Sequence, residues 1–346
     1  MMANALGELC VNAKEGEEIC VNSIGYNRVK VKVNQMGDSI RLKPYVDTQE
    51  ELQSSQAMNI MAKVLEKLER EMPMHHKSSS HYFSRLTLDC GGNHEIVEIF
   101  HTSRSLLTMR GSFFHNARRF AWPKNVEKDS SLFNSNLHQL LECGPASILY
   151  TDDSDDGRPI HLRVSGMNSQ SPLFYSSLLQ TPDYMCYGIC LADKDGRKIY
   201  RIKLARVQKR SVPHIEGIVN VDARTNHILS FEGVMCNYVI DLKRDQNVQS
   251  LPATISFRII YTHSRGFTEV ESVVCDVESK GLTGSFSTFN LGKRKLPVID
   301  KEGINDDIQN AFGTNDYNPA LWIKGNVIQY SQEEEKIVIE SEAYLK

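Results

Sequence analysis

A mainly β chain (α+β), built on one large curved antiparallel sheet or half barrel with two helices against it, is the fold class this sequence predicts. Three features carry that prediction. From Tyr184 to Tyr238 the chain runs as successive hairpins: Tyr184–Ala192 and Arg197–Val207 flank Asp193-Lys-Asp-Gly196, and Gly217–Val221 and His227–Met235 flank Asp222–Asn226. In the second of these strands Ile199, Arg201, Lys203 and Ala205 alternate with Tyr200, Ile202, Leu204 and Arg206, so one face is mostly apolar and the other mostly charged. Two further β-rich runs, 82–122 and 253–275, extend the count to near ten strands with few helices between them.

Residues 1–46 are short and strand-like. Glu18–Tyr26 and Arg28–Val33 flank a bend at Gly25, Ile40–Leu42 adds a third short run, and Val29, Val31 and Val33 alternate with basic residues. Three such strands are too few for an independent core. Residues 47–80 form a helix and linker. Ile60 or Met61, Val64, Leu65, Leu68 and Met72 recur at helical spacing, and Pro73 ends the run. Thr48 with Glu51 offers a capping box, and Ser54 or Ser55 is an equally good start. The helix is expected to pack on the sheet that follows. His75, His76 and His81 then lie in a polar tract that reads as solvated linker, since no carboxylate or Cys nearby completes a metal site.

Residues 81–346 form the antiparallel β domain. In 82–122 a core face is drawn from Phe83, Leu86, Leu88, Ile96, Val97, Ile99, Phe100 and the aromatic residues up to Trp122. Arg104, Arg110, Arg118, Arg119 and Lys124 interleave with those aromatics and read as a solvated face. Leu132, Phe133, Leu137, Leu140 and Leu141 predict a second helix over 129–142, stopped by Gly144-Pro145. The acidic loop Asp152–Gly157 fails the calcium-loop spacing, because Arg163 stands where a Glu is required, and it reads as a solvated turn.

Composition excludes several functions. Forty Lys and Arg against 43 Asp and Glu leave a net charge of -3, which gives no field for nucleic acid. The longest apolar runs are strand-sized and broken by charge, short of the about twenty apolar residues of a membrane-spanning helix. The start, Met1–Gly7, lacks the basic n-region and apolar length of a secretory signal. The eight cysteines are scattered, and Cys186 and Cys190, four apart on a strand, share a face but lie roughly 13 Å from each other. They are expected to be small buried side chains. No nucleophile elbow, phosphate loop or zinc-protease motif occurs, none of the eleven histidines has Glu three residues later, and His138 with Glu142 reads as a surface pair on a helix. No catalytic, cofactor-binding or metal-ligating residue is therefore assigned, and no cofactor is expected.

Two stretches carry a family resemblance. Gly16–Tyr26, ending in Ser-Ile-Gly-Tyr and followed by alternating basic and Val residues, resembles the closing half of a carboxypeptidase-regulatory-like domain, a small accessory β-sandwich without catalytic residues. Phe312–Ile328, containing Asp-Tyr-Asn-Pro-Ala-Leu-Trp and Asn-Val-Ile, is similar to the closing segment of bacterial cell-envelope proteins that bear such a domain. Ala57–Pro73 and Gly217–Asp222 resemble their helix and hairpin core. The resemblance implies an N-terminally truncated member of that group, located in the periplasm or at the outer membrane. Three functions follow as expectations: a non-catalytic envelope scaffold or binding protein with a protein or apolar partner, a periplasmic carrier of an apolar ligand or lipoprotein, and a hydrolase with a non-local site.

Overall fold

The computed structural model describes residues 13–21, 23, 26–44, 48–75, 80–103, 112–122, 184–192, 197–206, 214–244, 247–264, 266–292 and 330–343. Strands β1 (Glu18–Val21) and β2 (Val29–Lys32) pair as a small antiparallel sheet, with Val29 and Val31 half-buried and Lys30 and Lys32 exposed, as their alternation predicts. Ile40–Leu42 is not a strand; its neighbourhood is tied to the chain by a bridge from Pro44 to Tyr26 and by the Asn27 N–H, which donates to the Lys43 carbonyl at 2.9 Å.

The main sheet has eleven strands, and all ten neighbouring pairs are antiparallel. In chain order they are β3 (Thr48–Leu52), β4 (Ser80–Cys90), β5 (Asn93–Ser103), β6 (Ser112–Trp122), β7 (Tyr184–Ala192), β8 (Lys198–Arg206), β9 (His214–Asp222), β10 (Ile228–Arg244), β11 (Asn247–Ser264), β12 (Phe267–Ser279) and β13 (Leu282–Gly292). Their order across the sheet is β3-β7-β8-β9-β10-β11-β12-β13-β4-β5-β6, open at β3 and β6 rather than closed as a barrel. Register shifts interrupt five of the ten pairings, and bulges of this kind bend strands and sharpen their twist, which is how so wide a sheet curves.

Helix α1 (Ser54–His75) connects edge strand β3 to β4, eight places across the sheet. Twenty-two residues span about 33 Å at 1.5 Å each, and eight strand spacings span about 38 Å, so one helix nearly covers the crossing. Ala57, Met61, Val64, Leu65 and Leu68, at most 3% exposed, form the stripe that meets Ile202, Leu204, Val219, Phe231, Ile255, Ile259 and Val273 in a single core. The helix begins later than the capping box at Thr48 would set it. Thr48 to Leu52 pair with β7, and the Gln56 side chain instead accepts the Gln53 N–H at 2.9 Å, the N-terminal half of a capping box. Pro73 does not end the helix; it lies in the last turn, and the chain stays helical to His75.

The second described helix, α2 (Gln332–Ala343), was not foreseen, and it lies on the opposite face. Ile337 and Val338 pack there on Ile96 and Phe120, beside Tyr330. The predicted helix over 129–142, the acidic loop Asp152–Gly157, Arg104, Arg110, Lys124, His138, Glu142 and the segment 312–328 lie outside the described residues. The face predicted for 82–122 is also corrected. Ile96, Val97, Ile99 and Phe100 cannot share one side of a strand: Val97 and Ile99 face α1, while Ile96 faces α2. β5 is covered on both faces, which is why its apolar run is nearly continuous.

At the start of α2 the Ser331 Oγ accepts the Glu334 N–H at 3.2 Å, and the Glu334 carboxylate accepts the Ser331 N–H at 2.8 Å. Ser331→Ala should cost about 1 kcal/mol, concentrated in this helix. Hydrogen exchange of the α2 amides should accelerate while those of β10 and β11 do not change.

Candidate functional site

Among the described residues, one group of three side chains has the donor atoms and spacing of a metal site: Glu71, His227 and His263, whose ligand atoms all lie within 4.8 Å of one another. Three separate elements deliver them. Glu71 is on the last turns of α1. His227 follows the turn from β9 to β10, and that turn is tightly specified. The Asp222 Oδ1 accepts the N–H groups of Arg224 and Thr225 at 3.0 and 2.8 Å and the Thr225 hydroxyl at 2.8 Å, and Asn226 takes φ 54, a conformation Asn tolerates well. His263 is near the end of β11. Ser230 pairs with Ile260, and the same register carried three residues further sets position 227 opposite position 263. His263 itself pairs with Thr268 of β12.

The contacts within the group are specific. The imidazoles of His227 and His263 stack, with centroids 3.4 Å apart and planes 28° from parallel. One oxygen of Glu71, Oε2, accepts the Thr268 backbone N–H at 2.7 Å. The other, Oε1, stands 3.9 Å from His227 Nε2, too far for a hydrogen bond. His227 Nε2 is buried and has no hydrogen-bond partner. Burial, followed by the positive potentials of His263 and Lys67, pushes the His227 ring from its ordinary 6.5 down to about 4, outweighing the pull of Glu71 and Asp222. His227 is therefore neutral at pH 7. Lys67 is occupied by the Thr225 carbonyl, to which its Nζ donates at 2.9 Å. His263 is exposed, so the group opens to solvent on that side.

Several other buried polar groups hold the sheet. Ser84 Oγ lies 2.8 Å from His101 Nε2 and 2.7 Å from Thr288 Oγ1, and all three residues are at most 1% exposed. This Ser–His contact has no access for a substrate. Ser80 donates to Glu269 at 3.2 Å, and Asn220 donates to Ser230 at 2.8 Å. On the α2 face Glu98, fully buried, accepts Arg85 Nε at 2.7 Å, Arg118 Nε at 2.5 Å and the Tyr330 hydroxyl at 2.9 Å.

These contacts revise several sequence expectations. Arg118 and Arg119 are not a solvated face: they are adjacent in sequence, point to opposite sides, and pair with Glu98 and Glu95 respectively. His81 is not in a linker but in β4, with Nδ1 2.8 Å from Thr102 Oγ1, and burial lowers its pKa. Cys186 and Cys190 are buried free thiols, as expected, with burial raising Cys186 to about 11 and Cys190 above its ordinary value. The sequence assigned no metal-ligating residue; the fold brings together three side chains with suitable donor atoms that are 36 to 192 positions apart in the chain.

An open antiparallel sheet crossed by a helix is the class that these elements define. No protein-family model matches the chain, and no curated protein is similar to it. One solved structure, of a DUF1329 family protein from Desulfovibrio piger, is similar over 70% of this chain and 95% of its own, at 8% identity and a TM-score of 0.23, a level that carries no argument. No helix among the described residues is long and apolar enough to cross a membrane.

Proposed function

We propose that this protein is a non-catalytic scaffold or binding protein of the bacterial cell envelope. The observation that carries the reading is the occupation of the α1 face of the sheet. A carrier of an apolar ligand needs that face to open onto a cavity of ligand size. Here Met61, Val64, Leu65 and Leu68 lie against it at 0–3% exposure, and each large apolar side chain so buried stabilises the fold by about 1.5–3 kcal/mol. Pulling α1 away to admit a ligand sacrifices those contacts. The sealed Ser84–His101–Thr288 contact supports the non-catalytic part of the reading. The envelope assignment rests on the resemblance of Gly16–Tyr26 and Phe312–Ile328.

The test is titration of delipidated protein with a fluorescent fatty acid, alongside native mass spectrometry of the protein as purified. A scaffold shows no saturable uptake and a mass equal to that of the bare chain. Stoichiometric uptake that is competed by unlabelled fatty acid overturns the reading in favour of a carrier.

A further inference from the structure

We propose that Glu71, His227 and His263 bind one divalent transition-metal ion, zinc by the chemistry of the donors, and that the ion fastens the C-terminal end of α1 to the β10–β11 hairpin. This goes beyond the scaffold reading and does not depend on it.

The donor set comes first. Two imidazole nitrogens and one carboxylate oxygen suit zinc and its transition-metal neighbours, whereas calcium and magnesium call for oxygen ligands alone. The spacing comes next. His227 Nε2 and Glu71 Oε1 face each other at 3.9 Å with nothing linking them, although the nitrogen is buried. Two metal–ligand bonds of about 2.1 Å at a tetrahedral angle hold their donors about 3.4 Å apart, so a contraction of a few tenths of an ångström converts this gap into two bonds. A buried nitrogen without a partner is costly as it stands, and coordination removes that cost.

The surroundings agree. Thr268 N–H, donating to Glu71 Oε2 at 2.7 Å, holds the carboxylate by one oxygen and leaves the other aimed at His227, the kind of outer-shell bond that orients a ligand. The stacked rings direct their in-plane lone pairs alongside one another rather than to a common point, so one ring must turn. His263 is exposed and turns about its side-chain bonds without disturbing the core. Lys67 opposes a cation here and Asp222 favours it; the Lys67 ammonium is turned to the Thr225 carbonyl. Three protein ligands leave a fourth position for water on the exposed side.

The test uses the full chain stripped with a chelator and titrated with zinc chloride by calorimetry. One ion per chain should bind, with a rise in the melting temperature, and calcium or magnesium in excess should not compete. His263→Ala removes an exposed side chain and should leave the circular dichroism of the apo-protein unchanged. It should weaken zinc binding by about tenfold or more and reduce the melting shift at the same zinc concentration. Glu71→Gln should weaken binding similarly. A folded wild-type chain that takes up no zinc saturably, or a folded His263→Ala chain that binds zinc with unchanged affinity and stoichiometry, overturns the proposal.

Discussion

Replacing Glu98 by Ala is expected to destabilise the protein by about 3–5 kcal/mol, because it takes from two largely buried guanidinium groups the carboxylate they share. Arg85 has a 5% exposed side chain and Arg118 one of 17%; Glu98 binds the first through one oxygen and the second through the other. Arg85 also stands 4.1 Å above the Tyr330 ring and 3.5 Å from Glu334, and Arg118 donates to the Tyr330 hydroxyl at 2.7 Å. Among the described residues of this cluster, Arg85 and Arg118 bring two positive charges and Glu98 and Glu334 two negative. Removing one carboxylate leaves an excess of one positive charge among apolar neighbours such as Ile96 and Phe120. Tyr330 loses an acceptor in the same step. Since Tyr330 and Glu334 bracket the start of α2, that helix should loosen before the sheet does, visible as early hydrogen exchange at 332–343. Urea midpoints measure the global loss. The triple replacement Arg85→Met, Glu98→Leu, Arg118→Met should recover most of it, since a buried ion network contributes little net stability against well-packed apolar side chains. A Glu98→Ala chain within 1 kcal/mol of wild type would sink this account.

What the sequence reveals follows from which side chains must be dry. β8 is legible because Ile202 and Leu204 are buried while Lys203 between them is exposed, so the period of two is written in hydropathy. α1 is legible for the same reason at a period of 3.6, its buried stripe falling at 57, 61, 64, 65 and 68. β3 is not, because Thr48-Gln-Glu-Glu-Leu52 lies at an edge, where one pairing suffices and charges protect the free side. β13 is hidden by its Ser, Thr and Gly content: only Leu282, Phe286, Phe289 and Leu291 announce a core, while Thr288 is buried with its hydroxyl bonded to Ser84. α2 did leave a signal in Ser331-Gln-Glu-Glu334 ahead of Ile337 and Val338, a capping box before an apolar pair.

The Glu71, His227 and His263 group was legible only to a reader who had already closed the β10–β11 hairpin. Arg244 pairs with Asn247 beside the turn, which alone would set position 227 opposite 264; the one-residue register shift between Met235 and Tyr238 is what sets it opposite 263. Local patterning says nothing of this. No spacing rule brings in Glu71, because it arrives on a helix whose path across eight strand positions is tertiary information.

Gly233→Ala is expected to destabilise the chain by about 2–3 kcal/mol, against the usual direction for its class. Glycine in a strand normally carries an entropic cost that alanine relieves, worth about 0.5–1 kcal/mol in the other direction. Here Gly233 of β10 pairs directly with Gly217 of β9, and a Cβ on it would lie 2.1 Å from the Glu216 carbonyl oxygen and 2.8 Å from the Gly217 Cα. Both obstacles are backbone, which yields only if β9 moves. A move of β9 disturbs Val219 and Val221, both fully buried in the core beneath α1. Gly284→Ala provides the comparison: its Cβ would lie 2.6 Å from Leu88 Cδ2, the end of a side chain that can change rotamer, though it also stands 3.0 Å from the Thr87 carbonyl oxygen. The loss for Gly284→Ala should therefore be smaller, by about 1 kcal/mol or more. Thermal or urea unfolding of the two variants side by side decides the matter. Equal effects, or a more stable Gly233→Ala chain, would mean that β9 and β10 do not approach each other at this point as closely as the sheet places them.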